Sequence, residues 1–501
     1  MLAGTEMRAH PPSQNGGTLL VVLFTFVICS LLIGVYLQTL IPKYRGARQA
    51  ACWRDALQAA EAGANHGIHE LNELAASSGD TGSYPWASKG WSLVDSVFNL
   101  NGERILDAAN LPLLGGSSNT GVARLSVDVY TREPTAPYHP WFRIRSTGRA
   151  MLPDRYLSGD RRNGRLRRMK LASAAPHLTR TVEVILKPRH RFGRAITTVK
   201  GMTLSNSTNW RLDSFDSNDV GKSDPGTSAG GIYPSDPGKR GRNGNIASAE
   251  TLPSDRPYGA LIFGNGAQVM GQVQTVGGDN PATPERENVA GSSAMDQSRI
   301  RDDFDDDVPP ARSPSWLLPL PAPLGNTNFA TGPAATPMRY VVAFDLAGFA
   351  VLPALPGTTG YVEILVNGNL DLGNGANAKI VIPPNVKATV YVKGNIDLRQ
   401  GKVNAGDGSS KVASHLTIFG LSTSANATFS ASRAEQILSF YGPTYDVTLG
   451  GDVTMTGAMV AKSFQVNLGG VGGFHYDEAL GRTGDIVGWV MVSYFEDSRG
   501  G

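Results

Sequence analysis

Cysteine is almost absent from this sequence, which holds only Cys29 and Cys52 among its 501 residues. Both fall in one predicted helix, where a rise of about 1.5 Å per residue separates them by about 35 Å. A disulfide cannot bridge that distance, so the predicted soluble part of the chain is free of disulfides. This scarcity excludes a small disulfide scaffold and leaves the cellular compartment open.

Several motifs of common enzymes are absent as well: the sequence contains no HExxH, no Walker loop and no paired-cysteine motif. The contiguous run His475–Glu478 projects its side chains in different directions, and we interpret it as a turn that caps the last β coil. The group His66–Glu70 lies near a predicted helix end, where hydration explains it. We therefore expect no catalytic residue, no cofactor and no metal ion.

Charge is sparse and balanced, with 46 Lys and Arg against 43 Asp and Glu. This balance makes nucleic acid an unexpected partner. Two acidic segments, Leu212–Asp219 and Ile300–Pro310, could offer oxygen ligands to calcium, but neither has the spacing of a calcium-binding loop. We interpret both as solvated insertions, and the basic tract Asp160–Lys170 as a solvated hairpin tip.

What the sequence does have is a long apolar run near its start, residues Thr18–Ile41, without a single charge. As a helix the run spans roughly 36 Å, more than the bilayer core of about 30 Å, which predicts a transmembrane helix. A cleaved secretion signal is the alternative, although it normally has a shorter apolar core and a basic start. The predicted membrane or assembly surface includes Leu19, Val22, Phe26 and Leu31.

The residues that follow the apolar run bear on the orientation of the predicted transmembrane helix in the membrane. Lys43, Arg45, Arg48 and Arg54 come directly after it. The positive-inside rule would therefore keep the bulk of the chain in the cytoplasm. Pro42, which lacks a backbone donor, is expected to kink the helix where it leaves the membrane.

The predicted helix continues beyond Pro42 with a stripe of small residues. Ala56, Ala60, Gly63 and Gly67 recur at alternating spacings of four and three. Such a stripe allows another element to approach closely. The partner can be the chain's own domain or a neighbouring subunit, and the pattern does not distinguish the two.

Three alternating segments follow and predict strands over 123–132, 141–152 and 178–189. A small antiparallel sheet laid on the helix would bury both apolar stripes. The apolar helix with its leader, Pro42, the stretch Ala56–Gly63 that includes Glu61, and the strands RIRSTGRA and RTVEVILKPR together resemble the minor pilins of the PilX type and related pseudopilins.

The resemblance implies a set of functional expectations. A prepilin peptidase would cut after Gly16 or Gly17, and the bulk would be exported from a single-pass protein of the bacterial inner membrane. Implied partners are pilin subunits, other minor pilins, the inner-membrane assembly platform and membrane lipid. The glutamate expected at the fifth mature position is absent, since Val21 or Val22 stands there. A subunit without a neighbour ahead of it gains by omitting a carboxylate from the bilayer, which favours the filament tip.

The second half of the sequence is rich in glycine and short β runs, and two of the runs are near-copies. Val366–Leu372 reads VNGNLDL and Val392–Leu398 reads VKGNIDL. A repeat without an intervening helix indicates stacked β coils, and we predict a parallel β-helix or a similar solenoid. A β-sandwich is the alternative. The pairs Gly368-Asn369 and Gly394-Asn395 suit corners with left-handed backbone, where asparagine side chains can form a ladder between coils.

The predicted fold class is α+β followed by all-β, namely a pilin-type helix on a small antiparallel sheet and then a parallel β-helix-like solenoid. The predicted boundaries are a leader (1–17), a transmembrane helix (18–41), a pilin-like domain (42–192), a first solenoid part (193–280), a Pro/Asp-rich insertion or linker (281–340) and a solenoid with a C-terminal cap (341–501).

The predicted function is that of a non-enzymatic minor pilin or pseudopilin at the filament tip, involved in type IV pilus assembly, adhesion or type II-like secretion. Its solenoid is expected to meet a surface or a polymer such as a polysaccharide. A membrane-tethered polysaccharide lyase or hydrolase is a second hypothesis, because Asp371 and Asp397 occupy equivalent repeat positions. Stacking of these carboxylates beside Arg399 would favour it. A membrane-anchored scaffold unconnected with pili is a third.

Overall fold

The computed structural model describes most of the chain in two units. The described residues are 15–77, 87–93, 102–106, 122–131, 141–151, 177–205, 210–226, 230–250, 261–263, 267–276, 289–290, 299–301, 303–304, 308–314, 320–321, 328–373, 378–467, 472–483 and 486–497. Unit 1 comprises residues up to Arg132, Pro140–Lys187 and Trp489–Gly501, and unit 2 comprises Glu133–His139 and Pro188–Gly488.

Unit 1 begins with one helix of 63 residues, α1 (Asn15–Ser77), which runs through Pro42. Its sheet contains β1 (Ser92–Leu93), β2 (Gly102–Leu106), β3 (Val122–Thr131), β4 (Trp141–Met151) and β5 (His177–His190). These five strands pair in sequence order, and every registered pair is antiparallel. The small antiparallel sheet predicted from the alternating segments is therefore present.

The helix lies close to its own sheet because glycines stand at the contact. A Cβ built on Gly63 would lie 2.3 Å from the Ser146 hydroxyl oxygen on β4. The reverse contact is tighter still, since a Cβ on Gly148 would lie 2.0 Å from the backbone oxygen of Ala56 and 2.5 Å from the nitrogen of Ala60. The stripe of small residues thus packs within its own unit, which decides between the two partners left open by its spacing.

Unit 2 is a solenoid of short strands joined mostly by turns. Its strands are β6 (Ile196–Thr198), β7 (Met202–Ser205), β8 (Arg211–Phe215), β9 (Ile246–Ser248), β10 (Leu261–Phe263), β11 (Gln268–Val269), β12 (Val273–Thr275), β13 (Val289–Ala290), β14 (Ile300–Arg301), β15 (Leu320–Pro321), β16 (Asn328–Phe329), β17 (Met338–Val342), β18 (Phe349–Val351), β19 (Gly360–Val366), β20 (Leu370–Asp371), β21 (Lys379–Val381), β22 (Val386–Val392), β23 (Ile396–Arg399), β24 (Lys402–Val403), β25 (Leu416–Gly420), β26 (Thr428–Ser432), β27 (Glu435–Gly450), β28 (Thr454–Asn467) and β29 (Gly473–Asp477). Short helical turns occur at Pro237–Lys239, Ala413–His415 and α2 (Leu480–Thr483).

The registered strand pairs of the solenoid are all parallel, so successive coils stack rather than form hairpins. This arrangement confirms the predicted fold class and excludes the β-sandwich. Each coil adds one side chain to a continuous buried row. In spatial order along one face, that row consists of Tyr340, Ile364, Val390, Ile418, Phe440, Met459, Ile196, Ile246, Val273 and Ile300.

The order of that row shows that the chain enters the solenoid in the middle of the stack. The first coils, β6 to β14, extend in one direction, and the coils from β15 to β29 then approach from the opposite end. The last of them closes the stack, since β28 pairs with β6 and β7 while β29 pairs with β8. We call this junction between β28–β29 and β6–β8 the seam.

A long crossover must therefore join the two ends of the stack. Ten steps of about 4.8 Å separate β14 from β15, so the connection covers about 48 Å along the solenoid. Its described part follows the outer face, where the Tyr441 hydroxyl donates a hydrogen bond to the carbonyl of Pro309.

Asparagine side chains link the corners of successive coils through hydrogen bonds. The amide nitrogen of Asn395 donates to the side-chain oxygen of Asn369 at 2.7 Å, and Thr428 donates in turn to Asn395 at 3.1 Å. Asp345 takes the same role one coil earlier, accepting from the nitrogen of Asn369 at 2.7 Å. These bonds form the coil-to-coil ladder suggested by the Gly-Asn repeat, and Asp345 adds a rung that the repeat did not indicate. The left-handed backbone expected at the two Gly-Asn pairs is wrong, because none of these residues has a positive φ. Glycine is needed there for close approach, since a Cβ on Gly394 would lie 2.3 Å from the Asn369 side-chain oxygen.

Three predicted boundaries differ from the structure. The final strand, β30 (Ile486–Asp497), is the neighbour of β5 in the sheet of unit 1, so 341–501 is not solenoid throughout. The predicted linker 281–340 contributes strands β13 to β17 to the stack. The run His475–Glu478 is not an end cap, because β29 lies between β28 and β8. Alternation and turns identify strands locally, but they do not reveal which distant strand is the neighbour.

Candidate functional site

The first half of α1 exposes apolar side chains throughout its length. All residues of Thr18–Ile41 are exposed in the isolated chain, with Leu19 at 75% and Phe26 at 72%. Val22 and Leu31 are likewise exposed. The stretch is long and apolar enough to cross a membrane by length and composition. A water-exposed apolar surface of this size requires a covering environment, either lipid or other helices.

The predicted cleavage glycines lie in the first turn of α1, and a side chain built on Gly17 would meet open space. The residues before Asn15, which form most of the predicted leader, lie outside the described residues. Cleavage after Gly16 or Gly17 stays a prediction. The basic tract Asp160–Lys170 and part of the acidic segment Ile300–Pro310 also lie outside the described residues.

The second half of α1 has structural partners. Ala56 and Ala60 are fully buried, and the Glu61 carboxylate accepts a hydrogen bond of 3.0 Å from the Tyr494 hydroxyl on β30. Buried Glu70 lies 3.4 Å from His66 and 3.3 Å from Lys89. The hydration expected for the His66–Glu70 group is therefore wrong at Glu70, which is buried against protein side chains. No metal-binding cluster occurs among the residues that the structure describes.

A polar row follows one outer face of the solenoid. Asp371 and Asp397 are direct neighbours in the parallel register, and Asp397 pairs with Ser430 on the next coil. The Ser430 hydroxyl donates to Asp397 at 2.9 Å, and the Arg399 guanidinium forms an ion pair with the same carboxylate. The stacked carboxylates beside Arg399 therefore meet the condition that favours the polysaccharide hypothesis.

A second cluster lies at the seam and was not foreseen from the sequence. His475 Nδ1 lies 2.7 Å from Asp213 Oδ1, and the Tyr233 hydroxyl donates to Asp213 Oδ2 at 2.9 Å. The Tyr233 ring stacks on the imidazole with 3.6 Å between centroids. Burial beside the Asp213 carboxylate raises the pKa of Tyr233, so its hydroxyl stays protonated as a donor.

Three further carboxylates, those of Asp216, Asp477 and Glu478, lie near this His475–Asp213 pair. Arg482 forms an ion pair with Asp216, while Glu478 accepts a hydrogen bond of 2.7 Å from the Ser214 hydroxyl. Asp477 is fully buried, and its burial raises its pKa to about 6. The prediction that Leu212–Asp219 is a solvated insertion is therefore wrong, because its residues 212–217 are buried and supply contacts to His475–Glu478. The only sequence signal was the presence of two acidic runs, which nothing linked across about 260 positions.

A small cationic cavity lies near the start of unit 2. Its lining includes Arg189, His190, Arg191 and Arg194, together with Tyr441. The Arg191 guanidinium lies over the Tyr441 ring at 4.9 Å, and Arg194 donates to the Gln274 side chain at 2.6 Å. These contacts assign both arginines a packing role where the crossover passes.

Comparison with known proteins gives a family match and a structural likeness. Residues 355–483 match a family described as a domain of unknown function, DUF7305. The chain is also similar to the competence-associated pilin ComZ from Thermus thermophilus, at 11% identity and a TM-score of 0.27, over 88% of this chain and 97% of that one. At that identity and TM-score the likeness carries no argument about function. No curated protein matches the chain.

Proposed function

We propose that this chain is a minor pilin or pseudopilin, a non-enzymatic subunit that carries its solenoid on a filament. The single observation behind the proposal is the burial contrast along α1. Residues Thr18–Ile41 are exposed and apolar, whereas Ala56, Ala60 and Gly63 further along are buried on the subunit's own sheet. Such a helix can pack on its own subunit through its second half, and against lipid or other helices through its first half.

The proposed mechanism uses the two halves of α1 in sequence. In the inner membrane, lipid covers the exposed half as a single-pass anchor, with the bulk of the chain exported. An assembly platform then moves the helix into a bundle of pilin helices, where packing against neighbours replaces contact with lipid. Expected partners are pilin subunits, other minor pilins and that platform.

We place the subunit at the filament tip for two reasons. The glutamate expected near the start of the mature helix is absent, with Val21 or Val22 in its position. Unit 2 extends from Pro188 to Gly488, a bulk that would collide with subunits above it if repeated along a shaft. The protein should therefore occur in few copies at one end, where its loss reduces initiation or attachment.

Two measurements test the proposal. Mass analysis of protein from cells with an active prepilin peptidase should show a new N-terminus after Gly16 or Gly17, and an intact Met1 would favour a plain membrane scaffold. Immunogold against unit 2 should label one filament end. Labelling along the whole shaft would contradict tip placement, even if cleavage occurs.

The polar row supports a second candidate function, recognition or cleavage of a polysaccharide. Its basis is the adjacency of Asp371 and Asp397 with Arg399 paired to the latter. Polygalacturonate serves as the probe, with binding followed by calorimetry and cleavage by release of reducing or unsaturated ends. The double change Asp371→Asn, Asp397→Asn should abolish any signal, while Asp407→Asn at an exposed turn should not. A signal unaffected by the double change would contradict this role.

A further inference from the structure

The seam differs from the asparagine corners of the ladder in the side chains that hold it. Between β8 and β29, side-chain contacts join the regions 213–222 and 475–482, and each of these side-chain contacts uses a carboxylate. Ser217 N donates to Asp477 Oδ1 at 3.0 Å, and Ser214 donates to Glu478 at 2.7 Å. By contrast, the ladder corners between β20, β23 and β26 use neutral asparagine side chains.

Asp477 occupies the centre of these contacts. Its Oδ1 accepts from the backbone nitrogens of Ser217 and Ala479, whereas its Oδ2 is buried without a hydrogen-bond partner. An ionised carboxylate in that position leaves one charged oxygen unsatisfied, which is costly in a buried site. A protonated carboxylic acid keeps the Oδ1 contacts and removes the charge.

We propose that the seam is a proton-operated joint, tightest in acid and loosened at and above neutrality, so that β8 and β29 separate before other paired strands of the solenoid. Opening would expose two parallel strand edges in the middle of the stack. The device acts on the joint between the two halves of the solenoid and is independent of the proposed filament role.

The charges around Asp477 determine the sign. Burial raises its pKa to about 6, and the neighbouring Asp216 charge adds to the increase. When the seam opens, the group returns to an ordinary value of about 4. The closed seam is therefore favoured fully below about pH 4, and this advantage is lost as the pH rises through about 6.

The other charged groups at the corner lie in pairs. His475 Nδ1 lies 2.7 Å from Asp213 Oδ1, and Arg211 Nε lies 3.0 Å from Asp213 Oδ2. Arg482 pairs with Asp216, and Lys222 lies 3.9 Å from Glu478. These two cationic partners stay charged across the range and supply no opposing response.

Hydrogen exchange of the full chain at pH 4.5 and pH 7.5, corrected for intrinsic rates, tests the joint. Opening at Arg211–Phe215 and Gly473–Asp477 should rise about 20-fold between the two values, as follows from a pKa of about 6 closed and about 4 open. The paired strands Met338–Val342 and Gly360–Val366 serve as the internal control and should change less than about twofold. An equal rise in both regions, or none at the seam, would overturn the proposal.

Variants separate the joint from general destabilisation. Asp477→Asn retains the acceptor for both backbone nitrogens and should abolish the pH response at the seam. Asp345→Asn is the matched control, since this exposed carboxylate also accepts a backbone nitrogen at a corner, and the response should persist. If Asp477→Asn does not fold, Asp216→Asn should reduce the response by removing the neighbouring negative charge. A full response in either seam variant would refute the joint.

Discussion

The two units bury apolar surface in different ways. Unit 1 closes its core once, where a single helix meets a single sheet at a contact so tight that Gly148 leaves no room for a Cβ. The solenoid closes its core coil by coil, and the buried row of Leu370, Ile396 and Phe429 repeats the same contact between neighbours. Unit 1 therefore depends on a few irreplaceable positions, whereas the solenoid distributes its stability over many equivalent ones.

The largest effect is expected when a charge enters the repeated row. Ile396 is fully buried, so Ile396→Asp places an unpaired carboxylate in the core and should cost about 4–5 kcal/mol or more, enough to unfold the surrounding coils. Lys393→Asp, three residues earlier at an exposed position, should be tolerated. Protease resistance of the solenoid measures the difference, and equal sensitivity of the two variants would exclude the assigned register.

A slightly smaller effect, confined to unit 1, is expected at the close approach. In Gly148→Ala the new Cβ would overlap the backbone of Ala56, so helix and sheet must separate at a cost of about 1–3 kcal/mol. Gly46→Ala on the same helix meets nothing within 4 Å and should gain up to about 1 kcal/mol. Hydrogen exchange should accelerate in β4 and β5 but not in β19. Acceleration in both units would show that the contrast is wrong.

The solenoid should lose stability in acid at one position, His415. Burial lowers the pKa of His415 to about 4, against about 6.5 when unfolded. Its contribution to stability is therefore complete above about pH 6.5 and lost as the pH falls through 4, on the order of 2 kcal/mol. His415→Gln should flatten this loss in urea unfolding followed at β25, and exposed His69→Gln should not. An unchanged slope in His415→Gln would assign the acid sensitivity elsewhere.

The smallest effect is expected at the corner ladder. Asn395→Ala removes the acceptor for the Thr428 amide and should cost about 1 kcal/mol, because one hydrogen bond among many parallel contacts is lost. Lys393→Ala at a neighbouring exposed position should change stability by less than about 0.5 kcal/mol. Urea unfolding of both variants decides the matter, and indistinguishable midpoints would mean that the ladder adds no stability.

The sequence predicts contacts that repeat locally, and it does not predict pairing between strands that are far apart in the chain. The alternation and the near-copy VNGNLDL and VKGNIDL identify stacked coils, because each coil repeats a local pattern that a single sequence displays. The stripe at Ala56 and Gly63 likewise predicts close packing. Neither pattern identifies β30 as the neighbour of β5, because strand pairing across an insertion of about three hundred residues leaves no periodic trace.

The candidate functional residues likewise include some that the sequence predicts and some that it does not. The exposed apolar half of α1 follows directly from composition, since no charge interrupts Thr18–Ile41. The contacts of Asp213 with His475 and of Asp216 with Arg482 depend on the stacking of β8 against β29. Such pairs become predictable only once the order of the coils is known.

The mid-stack position of the first coils has a consequence for synthesis. Strands β6 to β8 emerge from the ribosome early, but the strands that cover one of their edges, β28 and β29, are made about 260 residues later. At about 5–20 residues per second, that edge waits between about 13 and 50 seconds for its partner. Throughout that interval the nascent chain presents a ready template for pairing with another copy, which makes a chaperone or prompt translocation valuable to this protein.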